Sequence, residues 1–225
     1  MKIHVLSDLH IEFAAFHDMP TDADVTVLAG DIGTGMEAFE FASELALERP
    51  VIYVLGNHEY FRDAIPRLTN QMRKAAHGTD LHVLENDEVT IGTTRFLGAT
   101  LWTDWQLYGP RTNVAMEAAG YMMPDYKLIQ RSPEYTKLTP EDTRLLHIES
   151  RSWLSDRLES AHEGSTVVVT HHAPCERSSD PKFDGDVLTP AFISRLDDLL
   201  GRSQLWIHGH THFNVDYTVG VFCLS

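Results

Sequence analysis

Three histidines at alternate positions, His208, His210 and His212, follow an apolar run in the segment LWIHGHTHF (205–213). At a strand end, imidazoles two residues apart stay on one side, and Gly209 lets the backbone bend close to whatever His210 and His212 hold. Four more runs rich in Val, Ile and Leu end in the same kind of residue: KIHVLSDLH (2–10), DVTVLAGDI (24–32), PVIYVLGNHEY (50–60) and STVVVTHHAP (165–174). They bring forward Asp8, His10, Asp31, Asn57, His58, His171 and His172. Seven of the chain's 13 histidines, counting His208, sit at or just past the ends of these five runs, which scattered core histidines do not explain. Carboxylate, amide and imidazole without thiolate suit Mn, Fe, Zn or Co. A lone Asp after a glycine, as in GDI, has two oxygens with which to bridge two ions. Two dications against Asp8 and Asp31 leave about two net positive charges, a centre that attracts a phosphate.

Such residues need a scaffold that brings distant segments together. The short β-branched runs read as strands buried on both faces, the kind found in sheets covered by helices. Helical segments are expected at 36–48, stopped by Pro50; 62–77, ended by Gly78; 140–162; and 190–200, ended by Gly201. Thr139 followed by Pro140 and Asp142, and Thr189 followed by Pro190, look like capped helix starts. Between 81 and 101 the pattern changes to three short alternating strands, LHVL, EVTI and TRFLGATL. The class is α/β with mixed strands. In such sheets ligands bind beyond the carboxyl ends of the strands, where the loops converge, so five loops aim their polar residues at one place.

The length of 225 residues suits one domain with a sizeable core. A net charge of −15, with 18 Lys+Arg against 33 Asp+Glu, argues against a sequence-independent grip on duplex nucleic acid or an anionic membrane. The amino-terminal apolar run is cut off by Asp8, too early for a signal-peptide core, and nowhere do about 18 apolar residues run uninterrupted. A cytoplasmic chain is expected. Cys175 and Cys223 form no spaced framework and read as small buried hydrophobes.

The set SDLH, AGDI, GNHEY, THHAP and HGHTH, in that order and spanning the chain, resembles the calcineurin-like metallophosphoesterase superfamily. The resemblance implies two mixed β-sheets packed as a sandwich with helices on both outer sides, a four-layer αββα fold. It implies two divalent or mixed-valence metal ions, one held by Asp8, His10, Asp31 and His212, the other by Asp31, Asn57, His171 and His210. His171 rather than His172 takes the ligand position after its strand. His58 corresponds to the histidine that contacts the reacting phosphoryl group. The implied activity is hydrolysis of a small phosphodiester or phosphate ester by a metal-bridging hydroxide. Sequences of this kind run on past the last strand into an Asn-Pro-containing turn, whereas this one closes in VFCLS (221–225), and further chain is expected.

Residues 101–139 form a long connection with one clear helix, about 113–122, and read as a lid-like insertion governing substrate choice. Its aromatics are either a binding platform or the insertion's own small core. His147 and Arg151, one helical turn apart, are expected to face the pocket. Glu59 stands either behind a ligating histidine or in solvent, and His208 is structural. His4, His17, His77, His82 and His162 belong to structure or surface. Two other classes compete with the phosphoesterase. A non-catalytic binding or scaffold module on the same fold would lose ligands or the GNH histidine, and both are present. A nuclease would need a basic groove that this acidic chain lacks. Oligomeric state has no signal in the sequence.

Overall fold

The computed structural model describes residues 1–17 and 19–219. Cys223 and the run 221–225 lie outside the described residues. In chain order the first elements are β1 (Ile3–Leu6), β2 (Val25–Ala29), α1 (Gly35–Leu45), β3 (Val51–Val54), β4 (Ala64–Ile65), α2 (Arg67–Ala76), β5 (Leu81–Val83), β6 (Asp87–Ile91) and β7 (Thr94–Ala99). There follow α3 (Thr112–Met122), α4 (Asp125–Leu128), β8 (Gln130–Arg131), β9 (Thr136–Lys137), α5 (Pro140–Glu159), β10 (Ser165–Thr170) and β11 (Leu205–Ile207).

One sheet has the order β1-β2-β3-β5 and is parallel throughout. The other has the order β11-β10-β7-β6, with β6 antiparallel to β7. Side-chain alternation assigns each strand's two faces. Val25, Val27 and Ala29 of β2 and Ile52 and Val54 of β3 meet Phe96, Val167, Val169 and Ile207 of the other sheet in a dry layer. Their neighbours Leu28, Val51 and Tyr53 pack against Ala38 and Ala42 of α1 and Leu68 and Met72 of α2. Leu97 and Val168 pack against Leu154 of α5. The result is the four-layer αββα sandwich. Each buried Val, Leu or Ile contributes about 1.5–3 kcal/mol, and a one-residue register slip would turn every one of them to the wrong layer.

Local signals hold unevenly. Thr139 caps α5 as expected: its Oγ accepts from Asp142 N–H at 3.2 Å, and Asp142 Oδ2 accepts the Thr139 N–H at 2.9 Å. The helix expected from 62 starts only at Arg67, because Pro66 offers no N–H and Ala64–Ile65 pair instead with Gln130–Arg131. The helix expected at 190–200 does not form. Only a 3₁₀ turn, Thr189–Ala191, is present there. Backbone groups of Phe192, Ser194 and Leu196 bond across to Ala173 and Pro174, which buries Ile193, Leu196 and Leu199. The three short strands of 81–101 all exist but divide between the sheets, β5 joining the first, β6 and β7 the second.

Within residues 101–139, Trp102, Trp105 and Tyr126 are buried in the cluster that holds Tyr60 and Leu68, so these rings serve as core. The same stretch supplies β8 and β9, which extend β4 into a small three-stranded sheet. No helix among the described residues is long and apolar enough to cross a membrane.

Candidate metal centre

Five parallel strands, β1, β2, β3, β10 and β11, deliver their carboxyl-terminal loops to one end of the sandwich, and the motif residues stand there. Three groups of side chains bring potential ligand atoms within 4.8 Å of one another: Asp8, His10 and His212; His10, Asp31 and His58; Asp31, His171 and His210. Asp31 and His10 each belong to two groups.

Around Asp8 the cluster opens to solvent. His210 N–H donates to Asp8 Oδ1 at 2.9 Å. His212 Nε2 lies 3.4 Å from the same oxygen with its side chain 60% exposed, and 3.1 Å from His10 Nε2. Around His171 the cluster is buried. Its Nε2 lies 3.1 Å from Asn57 Oδ1, 3.0 Å from His210 Nδ1 and 3.4 Å from Asp31 Oδ2. Its Nδ1–H donates to the Ala29 carbonyl at 2.9 Å, which leaves Nε2 as the nitrogen turned to the cluster. His172 turns away, with Nδ1 on the Thr100 carbonyl at 3.1 Å and its ring beside Trp102. His208 bonds Ser178 through Nε2 at 2.8 Å.

Lone-pair atoms facing one another at this spacing are better satisfied by a cation than by one shared proton, so the donor set fits a metal. Backbone geometry supports the fit. Asp8, His10, Asp31, His210 and His212 all have φ between 48° and 69°, a left-handed conformation costing roughly 1–2 kcal/mol per residue and held only where surroundings impose it. A Cβ on Gly209 would lie 2.6 Å from Asp8 Oδ2, so only glycine lets the β11 loop close on the β1 loop.

The electrostatics are those of a ligand cluster. Burial pushes Asp31 upward, but the His171 charge and hydrogen bonds from His171 and His58 outweigh it and hold the carboxyl well below its usual range. Burial alone would lower His171, yet Asp31 and Asp8 raise it to about 9. Burial and the His171 charge hold His172 at about 3.

Three carboxylates reach the cluster in ways the motifs alone did not reveal. Glu59 is fully buried and touches no histidine ring by hydrogen bond. It accepts from the backbone N–H of Asp31, Ile32 and Gly56 at 2.7–3.0 Å and from Tyr53 OH at 2.9 Å, tying the β2 and β3 loops together. Burial and the Asp31 charge raise it to about 7. Asp125, the first residue of α4, is buried; burial lifts its carboxyl to about 6, while the Asn57 side chain opposes the rise. The Asn57 oxygen faces the cluster through His171. Glu12 lies beside His58 and His10; it stands in plain view two residues past SDLH, whereas nothing in PDYK marks Asp125. His147 and Arg151 do not converge on the site. His147 is buried with Nδ1 on the Trp102 carbonyl at 3.3 Å, and Arg151 pairs with Asp198 at 2.7 Å.

The description calcineurin-like phosphoesterase matches the chain over residues 1–214, and the chain belongs to that family. It is accordingly a metal-dependent phosphoric ester hydrolase. Among solved structures it is similar to the crystal structure of phosphopantetheinyl hydrolase (PptH) from Mycobacterium tuberculosis, at 17% identity and a TM-score of 0.69, covering 97% of this chain and 85% of that one. That likeness is one of fold. No curated protein matches the sequence.

Proposed function

We propose that this phosphoesterase hydrolyses a small phosphodiester or related phosphate ester at a dinuclear centre bridged by Asp31. The reading is carried by one observation: Asp31 Oδ2 lies 4.0 Å from His10 Nε2 and 3.4 Å from His171 Nε2, so a single oxygen faces both histidine sets. Asp8, His10, Asp31 and His212 would hold one ion, and Asp31, Asn57, His171 and His210 the other. The donor chemistry suits Mn, Fe, Zn or Co, in divalent or mixed-valence pairs. Bound there, the ions would supply Lewis-acid neutralisation of phosphoryl charge and a water acidified to near neutrality.

The chain's own residues do the rest. Glu59 fixes the relative position of the two loops that carry Asp31 and Asn57, and Asp125 stands by the Asn57 side chain. His58 lies beside the leaving oxygen and delivers a proton or a charge-assisted hydrogen bond to it. Residues 1–225 act as one domain, with the insertion at 101–139 bordering the crevice and narrowing it to small ligands. The net charge of −15 disfavours duplex nucleic acid, and a cytoplasmic location goes with this reading.

The test is metal-depleted protein reconstituted with Mn, Fe, Zn or Co and assayed on chromogenic diesters, monoesters and a phosphopantetheinyl ester, with metal content measured in parallel. Turnover of a small ester that tracks metal loading is expected. Full loading with no turnover on any ester would instead favour a binding module, and salt-dependent duplex degradation a nuclease.

A further inference from the structure

We propose that Glu12 is a positioning residue that sets the ring orientation of both His10 and His58, linking the first ligand set to the group that serves the leaving oxygen; the proposal rests on the roles given to those two histidines above. Glu12 follows His10 by two residues in SDLHIEF (7–13). Its Oε1 lies 2.7 Å from His58 Nδ1 and 3.4 Å from His10 Nδ1. The two rings meet edge to face with centroids 4.3 Å apart. The carboxylate side chain is only 12% exposed, and its Oε2 is buried with no hydrogen-bond partner. Withdrawing a carboxylate from water costs several kcal/mol unless its partners compensate, and the partners here are two imidazoles from different loops.

The chemistry follows from which nitrogen faces the oxygen. A ring nitrogen at hydrogen-bond distance from a carboxylate carries the proton, so Glu12 holds His58 in the Nδ1–H form and leaves Nε2 as its working atom. On His10 the same oxygen faces Nδ1, and Nε2 is the nitrogen turned to Asp31 and His212. One side chain in the β1 loop thus orders the β3 loop's histidine. Outer partners of this kind are worth about 10- to 100-fold in metal affinity or activity.

The experiment compares Glu12→Ala, Glu12→Gln, His58→Ala and the Glu12→Ala/His58→Ala pair as Zn-loaded proteins with ¹⁵N-labelled histidine. Three quantities are read: the His58 ring tautomer by NMR, Zn affinity by chelator competition, and kcat and KM on esters with good and poor leaving groups. Glu12→Ala should lose the Nδ1–H preference, bind Zn about 10- to 100-fold more weakly and lose kcat by a similar factor with KM within about threefold. Glu12→Gln keeps an acceptor and should keep the tautomer. The double variant should be no slower than His58→Ala. An unchanged His58 tautomer in Glu12→Ala, or kcat losses at saturating Zn that multiply in the double variant, would overturn the proposal. If the Zn-loaded wild type turns over no ester, the phosphoesterase reading of this centre fails, while the tautomer and Zn affinity still decide what Glu12 does.

Discussion

A Cβ on Gly56 would lie 2.2 Å from Oδ1 of Asp31 and 2.5 Å from its backbone nitrogen. The same Oδ1 accepts the His58 N–H at 2.8 Å, so the β2 and β3 loops touch through an oxygen that admits no methyl group between them. Gly56→Ala is expected to cost about 1–3 kcal/mol by overpacking, lowering Tm by roughly 2–12 °C and reducing metal content. Gly120→Ala is the control: its Cβ would meet nothing closer than 3.5 Å within α3, and helix propensity favours it by about 0.5–1 kcal/mol. Scanning fluorimetry with metal analysis checks both, and a Gly56→Ala protein with wild-type Tm and metal content would contradict the packing argument.

His58→Ala should keep its metal and lose rate by about 10² to 10⁴, most severely with poor leaving groups. His58 shares a group with His10 and Asp31 whose potential ligand atoms lie within 4.8 Å of one another, so the alternative role is a ligand. Stoichiometric loss of metal from the variant would assign it there.

Acid stability should depend on His147, which is buried and lowered from its ordinary value by burial; Asp104 opposes the shift, and Arg151 reinforces it. A depressed folded value means that, below about pH 6.5, the unfolded chain binds a proton at this residue that the native state refuses. The contribution is therefore intact above that pH and is lost as pH falls, by at most about 1.4 kcal/mol per unit. Urea unfolding between pH 7 and 5 should show a shallower loss for His147→Leu than for wild type. Equal slopes would mean that His147 titrates normally in the fold.

Phe13 is 77% exposed although its ring stands 6.0 Å from His10 and 6.2 Å from His58, and Phe61 lies 4.3 Å from His58 on another side. Placed beside the leaving oxygen, Phe13 offers a face to a planar leaving group. Phe13→Ala should raise KM for aryl esters about two- to tenfold, with little change in kcat or in KM for alkyl esters, in line with the worth of an aromatic pair. Equal effects on aryl and alkyl esters would remove the stacking argument.

Much of this was legible in the residues because strand-end chemistry is local. A Val-rich run followed by SDLH or GDI states both the strand and what its loop presents, and the clusters around Asp31 join segments that the five motifs named. What depended on long-range packing was not legible. Thr189 and Pro190 look like a helix start, yet the backbone beyond them bonds to Ala173 and Pro174. The alternation of 81–101 reveals strands but not which sheet each joins. Asp125 carries no local mark at all, since its role exists only because α4 lies against Asn57. His147 and Arg151, one turn apart, look like a pair on one face, but one is buried under Trp102 and the other bonds Asp198.

A dinuclear centre here requires Asp31 as its bridge. Anomalous diffraction from Mn-loaded crystals tests this most directly. Two peaks roughly 3.5–4 Å apart are predicted on either side of the Asp31 carboxylate, with the site between Asp31, His171 and His210 and its partner both lost or depleted in Asp31→Asn, along with turnover. A single peak, two peaks with Asp31 turned away, or an Asp31→Asn protein that keeps both ions and its activity would contradict it.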